Sequence, residues 1–597
     1  MSDSIDPRLL DYYQRELTWL RHAGADFAER YPKIAHRLEL SGYESPDPHV
    51  ERLLEGFAFL SARLQRQLDD GYSQLSDALL EQLYPYAVRP MPSVGIAQFL
   101  PDATKGNVAE GYTVARDTPL FVNTPQGDTI HFRTTAPVTV WPLTVGDALL
   151  LPADEAQALT GLRDVRSALR LRIDCLAPHQ WHALPLDSLR IQLTGSPTTS
   201  AALYDLLCAH SLAMFVALPG ESPRRMGQSL PHAAGFTETE ALLPLEDGVL
   251  PAYRLLLEYF ACPAKFAMFD LPVQVPTAAT GQIELIIAFD NAPSSRISLQ
   301  PSDLALGCAP VVNLFPRTSE PLRPDATRRE YRVVADSHRE RSVEIYAIRK
   351  VRVSSADNAM QVPAYFAFSH AQKDNGVWWH ARRVQGVGSA RHGSDMMLTW
   401  VDAGFDPTLP QSQSLTADLL CTNRHLAETL APGTRLSFEQ PGPVAQVNLV
   451  NRPSPQLDAD LDGSSQWRLV SHLSLNHLSL VEDAQPLAAL REMLALYNLS
   501  DTQANRRQIS GLTHLETVRA VAHVGRQAWR GWRNGLEVRV TLDAEHFAGA
   551  SRVLFSGVLA HFLSQYASVN RFVRTVLVEQ DREIKTWQPL VGDPLIL

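Results

Sequence analysis

Read for the alternation of apolar and polar positions, the chain changes period twice. Over the first ninety or so residues the apolar positions recur every three or four. Leu10, Tyr13, Leu17, Leu20, Gly24 and Phe27 make one heptad seam, and Leu53, Phe57, Leu60, Leu64 and Leu68 make another. Each seam follows an aspartate-proline start, Asp6-Pro7 and Asp47-Pro48, in which the carboxylate caps free amides and proline occupies the first turn. Leu75, Leu79 and Leu83 carry the second stripe past Gly71 until Tyr84-Pro85 ends it. Long helices are expected, and their narrow stripes leave two readings open. The stripes pack on each other, the simpler reading, or they are shared in a bundle with another chain.

From Val94 to Ile348 the period falls to two, as in Leu169 to Cys175 and Leu189 to Thr194, where apolar and polar residues alternate. That is the pattern of half-buried antiparallel sheet. Proline clusters at Gly195 to Ser200, Pro219 to Pro223 and Pro321 to Pro324 mark turns. Short helices are expected at Ala201 to Leu207 and near Tyr253 to Phe260. The stretch Asn451 to Ser465, rich in Pro, Ser and Asp, reads as a linker. Beyond it Leu487 to Leu499 reads as a helix, Leu536 to Leu542 as a strand, Val553 to Tyr566 as a helix and Phe572 to Val578 as a strand, which implies a β-α-β unit.

At 597 residues the chain exceeds the roughly 250–300 residues that one core sustains. The expected fold class is therefore α+β and multidomain: an N-terminal long-helix bundle (1–92), two β-rich antiparallel domains (93–300 and 301–465, the linker closing the second) and a C-terminal mixed α/β domain (466–597).

Composition narrows the partners. A net charge of −11 gives no positive field for a phosphate backbone, so nucleic acid is not the expected ligand. Only six of the 54 basic residues are lysine, and arginine suits bidentate pairing with carboxylates at interfaces, although codon bias explains the same skew. The five cysteines are scattered and odd in number, which points to reduced, buried thiols rather than a disulfide framework. The start MSDSIDPRLL has neither a basic nor an apolar leader region, and no apolar run reaches the ~18 residues of a membrane span. A cytoplasmic chain without direct membrane insertion is expected.

Candidate chemistry is sparse. Asp458, Asp460, Asp462 and Gly463 copy the first half of a calcium loop, but the twelfth position is Leu469 instead of a bidentate Glu, so a solvated acidic segment is the better reading. His472 and His477 are five apart, a spacing that puts them on different faces of a strand or helix, so no metal is expected. Gly386-Val-Gly388 opens like a dinucleotide loop, but the third glycine comes at Gly393, and the context is not a strand-to-helix junction. Neither a GxSxG elbow nor a GxxxxGK[ST] loop occurs. Near the C-terminus Arg526, Trp529, Arg530, Trp532 and Arg533 interleave two side chains that dominate protein interfaces, and Trp529 and Trp532 are candidate contacts on that ground.

Several segments together resemble one family. Tyr12-Tyr-Gln-Arg-Glu16-Leu, Asp47-Pro48-His-Val-Glu-Arg-Leu53, His131-Phe-Arg, Tyr253 to Phe260 with Lys265-Phe266, Pro310-Val-Val-Asn-Leu-Phe315, Cys421-Thr-Asn-Arg424, Trp467 to Leu480, Phe547-Ala-Gly549 and Val569-Asn570 stand in the order seen in the TssF (VasA/ImpG-like) subunits of type VI secretion baseplates. Ala264 departs from the pattern, where an acidic residue is expected before the Lys-Phe pair. The resemblance implies a structural, non-enzymatic subunit of a contractile, phage-tail-like injection machine, without cofactor or metal. Its implied partners are TssG, TssK, TssE, a second TssF copy and the spike hub protein, and its implied place is in the cytoplasm beneath the inner-membrane secretion complex, where rearrangement triggers sheath contraction. The candidate interface comprises Leu10, Tyr13, Leu17, Leu20, Phe27, Leu53, Phe57, Leu60 and Leu64, with Trp529 and Trp532. The alternative from a different class is a β-sandwich module that binds carbohydrate or another ligand, or a secreted effector. It would need an aromatic-lined pocket, for which Trp378 and Trp379 are the adjacent candidates, although neighbours on a strand point to opposite faces. A hydrolase would need convergent histidine and carboxylate groups.

Overall fold

The computed structural model describes residues 7–37, 47–102, 104–105, 108–176, 181–246, 249, 251–293, 297–324, 328–354, 359–365, 377–386, 393–402, 414–440, 442–459, 461, 486–523, 531–565, 571–580 and 582–591. The chain divides into two compact units, one of residues 1–88 with 382–395 and 459–474, the other of 89–381, 396–458 and 475–597.

The first unit is built on helices α1 (Pro7–Arg30), α2 (Pro32–Arg37) and α3 (Pro48–Leu83). The cap expected at Asp47 is present: its carboxylate accepts from the His49 amide at 2.8 Å while Pro48 fills the first turn. The cap expected at Asp6 lies outside the described residues. Helix α3 runs through Gly71 without interruption and ends at Tyr84, as the stripe indicated. Among the described residues, no helix is long and apolar enough to cross a membrane.

The second unit centres on a closed barrel of strands Val94–Pro101, Cys308–Val312, Thr129–Thr134, Pro119–Asn123, Arg435–Phe438 and Val444–Leu449, in that order of pairing. Closure removes exposed strand edges. It also takes strands from both sides of residue 300, so the segments 93–300 and 301–465 share one sheet. Long-range pairing, which local sequence pattern does not report, sets that arrangement. Phe99, Leu120, Ile130, Phe132, Val311 and Val447 fill the barrel.

The period-two segments fold as read. Ser167–Cys175 pairs with Gln282–Phe289 and Leu143–Pro152 in a five-stranded sheet, burying Leu169, Leu171 and Ile173 while Arg170 and Arg172 stay half-buried. Ser188–Leu193 lies in a separate four-stranded sheet beside Met268–Pro272. Another four-stranded sheet joins Phe315–Thr318, Ser414–Thr422, Glu344–Ser354 and Ala359–Val362. Helices α4 (Ala153–Thr160), α5 (Pro197–Ala209) and α6 (Pro251–Ala261) accompany these sheets. In the C-terminal region α7 (Pro486–Tyr497), α8 (Gln503–Ser510) and α9 (Arg552–Gln565) accompany a sheet in which Trp532–Leu542 and Phe572–Glu579 pair in parallel across α9. That is the β-α-β unit the sequence implied.

One expectation is corrected. Asn451 to Leu457 is not a free linker. Its polar side chains bond the first barrel strand: Asn451 Oδ1 accepts from the Ile96 amide at 2.8 Å and Ser454 Oγ from the Val94 amide at 3.0 Å, while Leu457 and Met91 exchange backbone bonds. Gln456 is buried and donates to Glu344 at 2.7 Å. Pro, Ser and Asn favour turns, but they also supply the side-chain acceptors that satisfy a strand's amides.

Candidate assembly interface

Helix α3 has apolar residues on two opposite sides. At about 100° per residue, Leu53, Phe57, Leu60 and Leu64 fall within an arc of about 60°, and Ala58 and Ala62 lie about 130–170° from its centre. The alanines are fully buried. The four large side chains are 73%, 60%, 56% and 62% exposed, respectively. Polar bonds tie α3 to α1: Ser61 Oγ donates to Glu16 at 2.7 Å, and Arg21 Nε donates to Glu51 at 3.1 Å. On α1, Tyr13, Leu17, Leu20 and Phe27 are half-buried and Leu10 is exposed. The packing expected between the two stripes therefore does not involve the α3 stripe. Small side chains at Ala58 and Ala62 let helices approach closely, and an i, i+4 alanine pair was the signal in the sequence that marked this seam.

Trp532 sits near the end of a long hairpin, 66% exposed, and Trp529 lies outside the described residues. The candidate chemistry resolves differently. Asp458 is exposed and 3.4 Å from His425 Nε2; Asp460, Asp462, Gly463, His472 and His477 lie outside the described residues. Among the described residues, no group of three or more His, Cys, Asp or Glu side chains is placed to hold a metal. Gly386 and Gly393 bond to each other at 3.1 Å between two strands, and Gly388 lies outside the described residues. Trp379 packs into a sheet core and donates to the Val362 carbonyl at 3.2 Å, whereas Trp378 meets Tyr365 edge-on, so the two rings do not line one pocket. All five cysteines are free thiols, three buried and two half-buried; burial pushes Cys175, Cys208 and Cys262 up to about 11 and Cys421 up to about 12.

Ionisable groups do converge in the second unit, as mutually satisfied pairs. Glu258 and Lys265 are both buried and bonded to each other, and the second carboxylate oxygen accepts from the Leu242 and Leu243 amides at 2.9 and 3.2 Å. A cavity of about 800 Å³ is bordered by Arg190, which bonds Asp270 at 2.7 and 2.8 Å and Glu240 at 2.6 Å. Burial raises the Glu240 pKa, but Arg190, Thr237 and the Gly235 amide outweigh it and hold the carboxyl below its ordinary value. His561 borders the same cavity, stacked on Phe236, and burial lowers its pKa to about 4. A second cavity, about 490 Å³, is lined by Asp205, Phe547, Gly549, His210, which bonds Asp290 at 2.8 Å, and the pair of Arg552 with Glu579 (2.5 Å). Asp205 accepts from Ser551 and from the Val553 amide at the start of α9.

Three of the segments that carried the family resemblance, those of His131, Asn313 and Asn423, meet in a further polar cluster. Asn423 Oδ1 accepts from the His131 amide at 2.8 Å and from Asn313 Nδ2 at 2.9 Å, while Asn313 Oδ1 accepts from the Asn423 amide at 2.6 Å. Phe315 packs on the His131 ring at 4.6 Å. Arg424 follows with a left-handed backbone (φ 52°), its Nε donating to the Val343 carbonyl at 3.2 Å. These polar residues fasten sheets together. Sequence spacing gave no sign that positions 110 apart would meet.

Buried charges that pair with one another and an apolar helix face left exposed among the described residues fit a multidomain α+β subunit of a protein assembly. The chain belongs to the TssF family of type VI secretion systems, whose family model matches residues 5–594. It is 34% identical over 622 aligned residues, spanning 98% of this chain and 99% of the relative, to the type VI secretion system component TssF1 of Pseudomonas aeruginosa. Among solved structures it resembles a chain of a type VI TssK-TssF-TssG baseplate subcomplex, with a TM-score of 0.73, 25% identity and coverage of 92% of this chain and 100% of that one. A chain of a type VI baseplate complex shares the fold at a TM-score of 0.60 and 23% identity, covering 98% and 99%.

Proposed function

We propose that this chain is a non-catalytic structural subunit of a type VI baseplate, and that the open face of α3 seats an apolar helix of TssG. The observation that carries this reading is the two-sidedness of α3. A helix with apolar residues on opposite sides belongs in the middle of a bundle, and among the described residues α1 supplies only one side. The relative solved with TssK and TssG supports those two partners. By the same reading, the subunit joins TssE, a second TssF copy and the spike hub in a cytoplasmic assembly beneath the inner-membrane complex, where its rearrangement helps release sheath contraction.

The test is co-purification of the full chain with TssG. Replacing two residues of the face, as in Phe57→Asp with Leu60→Asp, removes about 2 kcal/mol of apolar burial for each, before any penalty for burying the new charges. Together that is about 4 kcal/mol, or roughly a thousandfold in affinity. TssG should be lost from the complex while the chain keeps its own fold by circular dichroism. Undiminished recovery of TssG by the double variant would refute the α3 assignment.

A further inference from the structure

The hairpin of Leu512–His523 and Trp532–Leu542 carries one face from packed core to open solvent. Successive strand residues alternate sides, so 532, 534, 536, 538, 540 and 542 share a face. Along it Leu542, Val540 and Val538 are buried, Leu536 is half-buried, and Asn534 and Trp532 are exposed. The partner strand follows the gradient as far as Val521: half-buried Thr517 stands opposite Val538, exposed Arg519 opposite Leu536 and exposed Val521 opposite Asn534, while half-buried His523 stands opposite Trp532. Val521 is 60% exposed. The third strand explains where the core ends, since Phe572–Glu579 pairs only with positions 535–541. At Gly535 any Cβ would sit 2.3 Å from the Phe572 carbonyl oxygen. The hairpin beyond Gly535 projects past that strand.

Charge changes near the same boundary. Toward the core, Arg539 and Arg574 both pair with Glu537. Outward, Arg519 and Arg533 have no ion-pair partner among the described residues. The sequence from 517 to 536 holds four arginines, Arg519, Arg526, Arg530 and Arg533, and no Asp or Glu, in a chain whose net charge is −11.

We infer that the outer end of this hairpin docks on an acidic protein surface that offers an apolar recess, with Trp532 and Val521 entering the recess and Arg519 pairing with carboxylates at its rim. Tryptophan and arginine are the side chains that carry most interface energy, and guanidinium pairs bidentately with carboxylate. The apolar pair needs a cavity that a phosphate backbone lacks, and the acidic remainder of the chain repels nucleic acid. The hairpin belongs to the second compact unit and α3 to the first, and the hairpin's occupant is defined by chemistry: a subunit of the same assembly with clustered Asp and Glu.

The experiment places the photo-crosslinker p-benzoylphenylalanine at position 532 of the full chain, co-expressed with the other baseplate subunits, and sequences the adducts. The expected adduct is a subunit peptide flanked by Asp and Glu. Its yield should fall about tenfold with Arg519→Glu, fall with Val521→Ser, and weaken at high salt. Adducts to nucleic acid, to lipid or to a neutral or basic peptide overturn the inference, as does the absence of any adduct. Retained TssG by the arginine variant shows that the chain is folded and keeps this outcome distinct from failure of the α3 reading.

Discussion

In the barrel the large side chains are inside: Phe99, Leu120, Ile130 and Phe132 are all buried. In α3 the order is inverted, with alanines inside and Leu53, Phe57, Leu60 and Leu64 outside. Both regions are apolar, and both obey local rules of periodicity. What separates them is whether the described residues supply a cover. The barrel closes on its own strands, so its stability belongs to the single molecule. The outer face of α3 contributes nothing until another surface removes it from water. An inverted size order along one helix is thus a more specific mark of an interface than total hydrophobicity.

The contrast breaks first in the sheet unit. Lys265→Met removes the ammonium bonded to the buried Glu258 carboxylate, leaving Arg254 at 3.6 Å as its remaining counter-charge, and should destabilise the chain by about 3 kcal/mol, read as a lower urea midpoint. A midpoint equal to that of the parent would mean the pair is not closed to solvent. Next in size is a pair of opposed titrations. Asp205 has its pKa raised from 3.8 to about 6, mainly by burial, so the stability it favours is present below pH 3.8 and lost as pH rises through 6. His561 has its pKa lowered from 6.5 to about 4, so its contribution is present above pH 6.5 and lost as pH falls toward 4. Each is worth about 3 kcal/mol, and over pH 4–6 they offset. Asp205→Asn should therefore melt at lower temperature as pH falls through that window, and His561→Phe at higher; parallel melting profiles for the parent and both variants would dismiss the pairing. The smallest effect, at Leu53, sharpens the comparison when set beside a core leucine. Leu256, fully buried, should lose about 2–5 kcal/mol on change to Ala, whereas Leu53→Ala should stay within about 0.5 kcal/mol in the isolated chain. A large loss at Leu53 would show that its face is already covered.

Elements governed by neighbours in sequence were legible. Asp47-Pro48 announced α3, alternation announced Ser167–Cys175, and the strand-helix-strand order announced the parallel pair around α9. Elements governed by distant partners were not. Asn451 and Ser454 read as loop formers because their acceptors find use only when Ile96 and Val94 arrive, more than 350 positions away in the chain. Asn313 and Asn423 stood out as parts of a resemblance, but nothing local foretold that they would bond each other. At the candidate interface the stripe was legible, while its outward orientation depended on Ala58 and Ala62 taking the inner side.

The bonds between the first barrel strand and residues 449–454 set a schedule for the nascent chain. At about 5–20 residues per second, the strand beginning at Val94 leaves the ribosome roughly 20–70 seconds before the segment that completes its ladder. The edge facing Cys308–Val312 finds its partner earlier, but the opposite edge stays unpaired for the whole interval, so the half-made sheet is the stage of synthesis most in need of a chaperone.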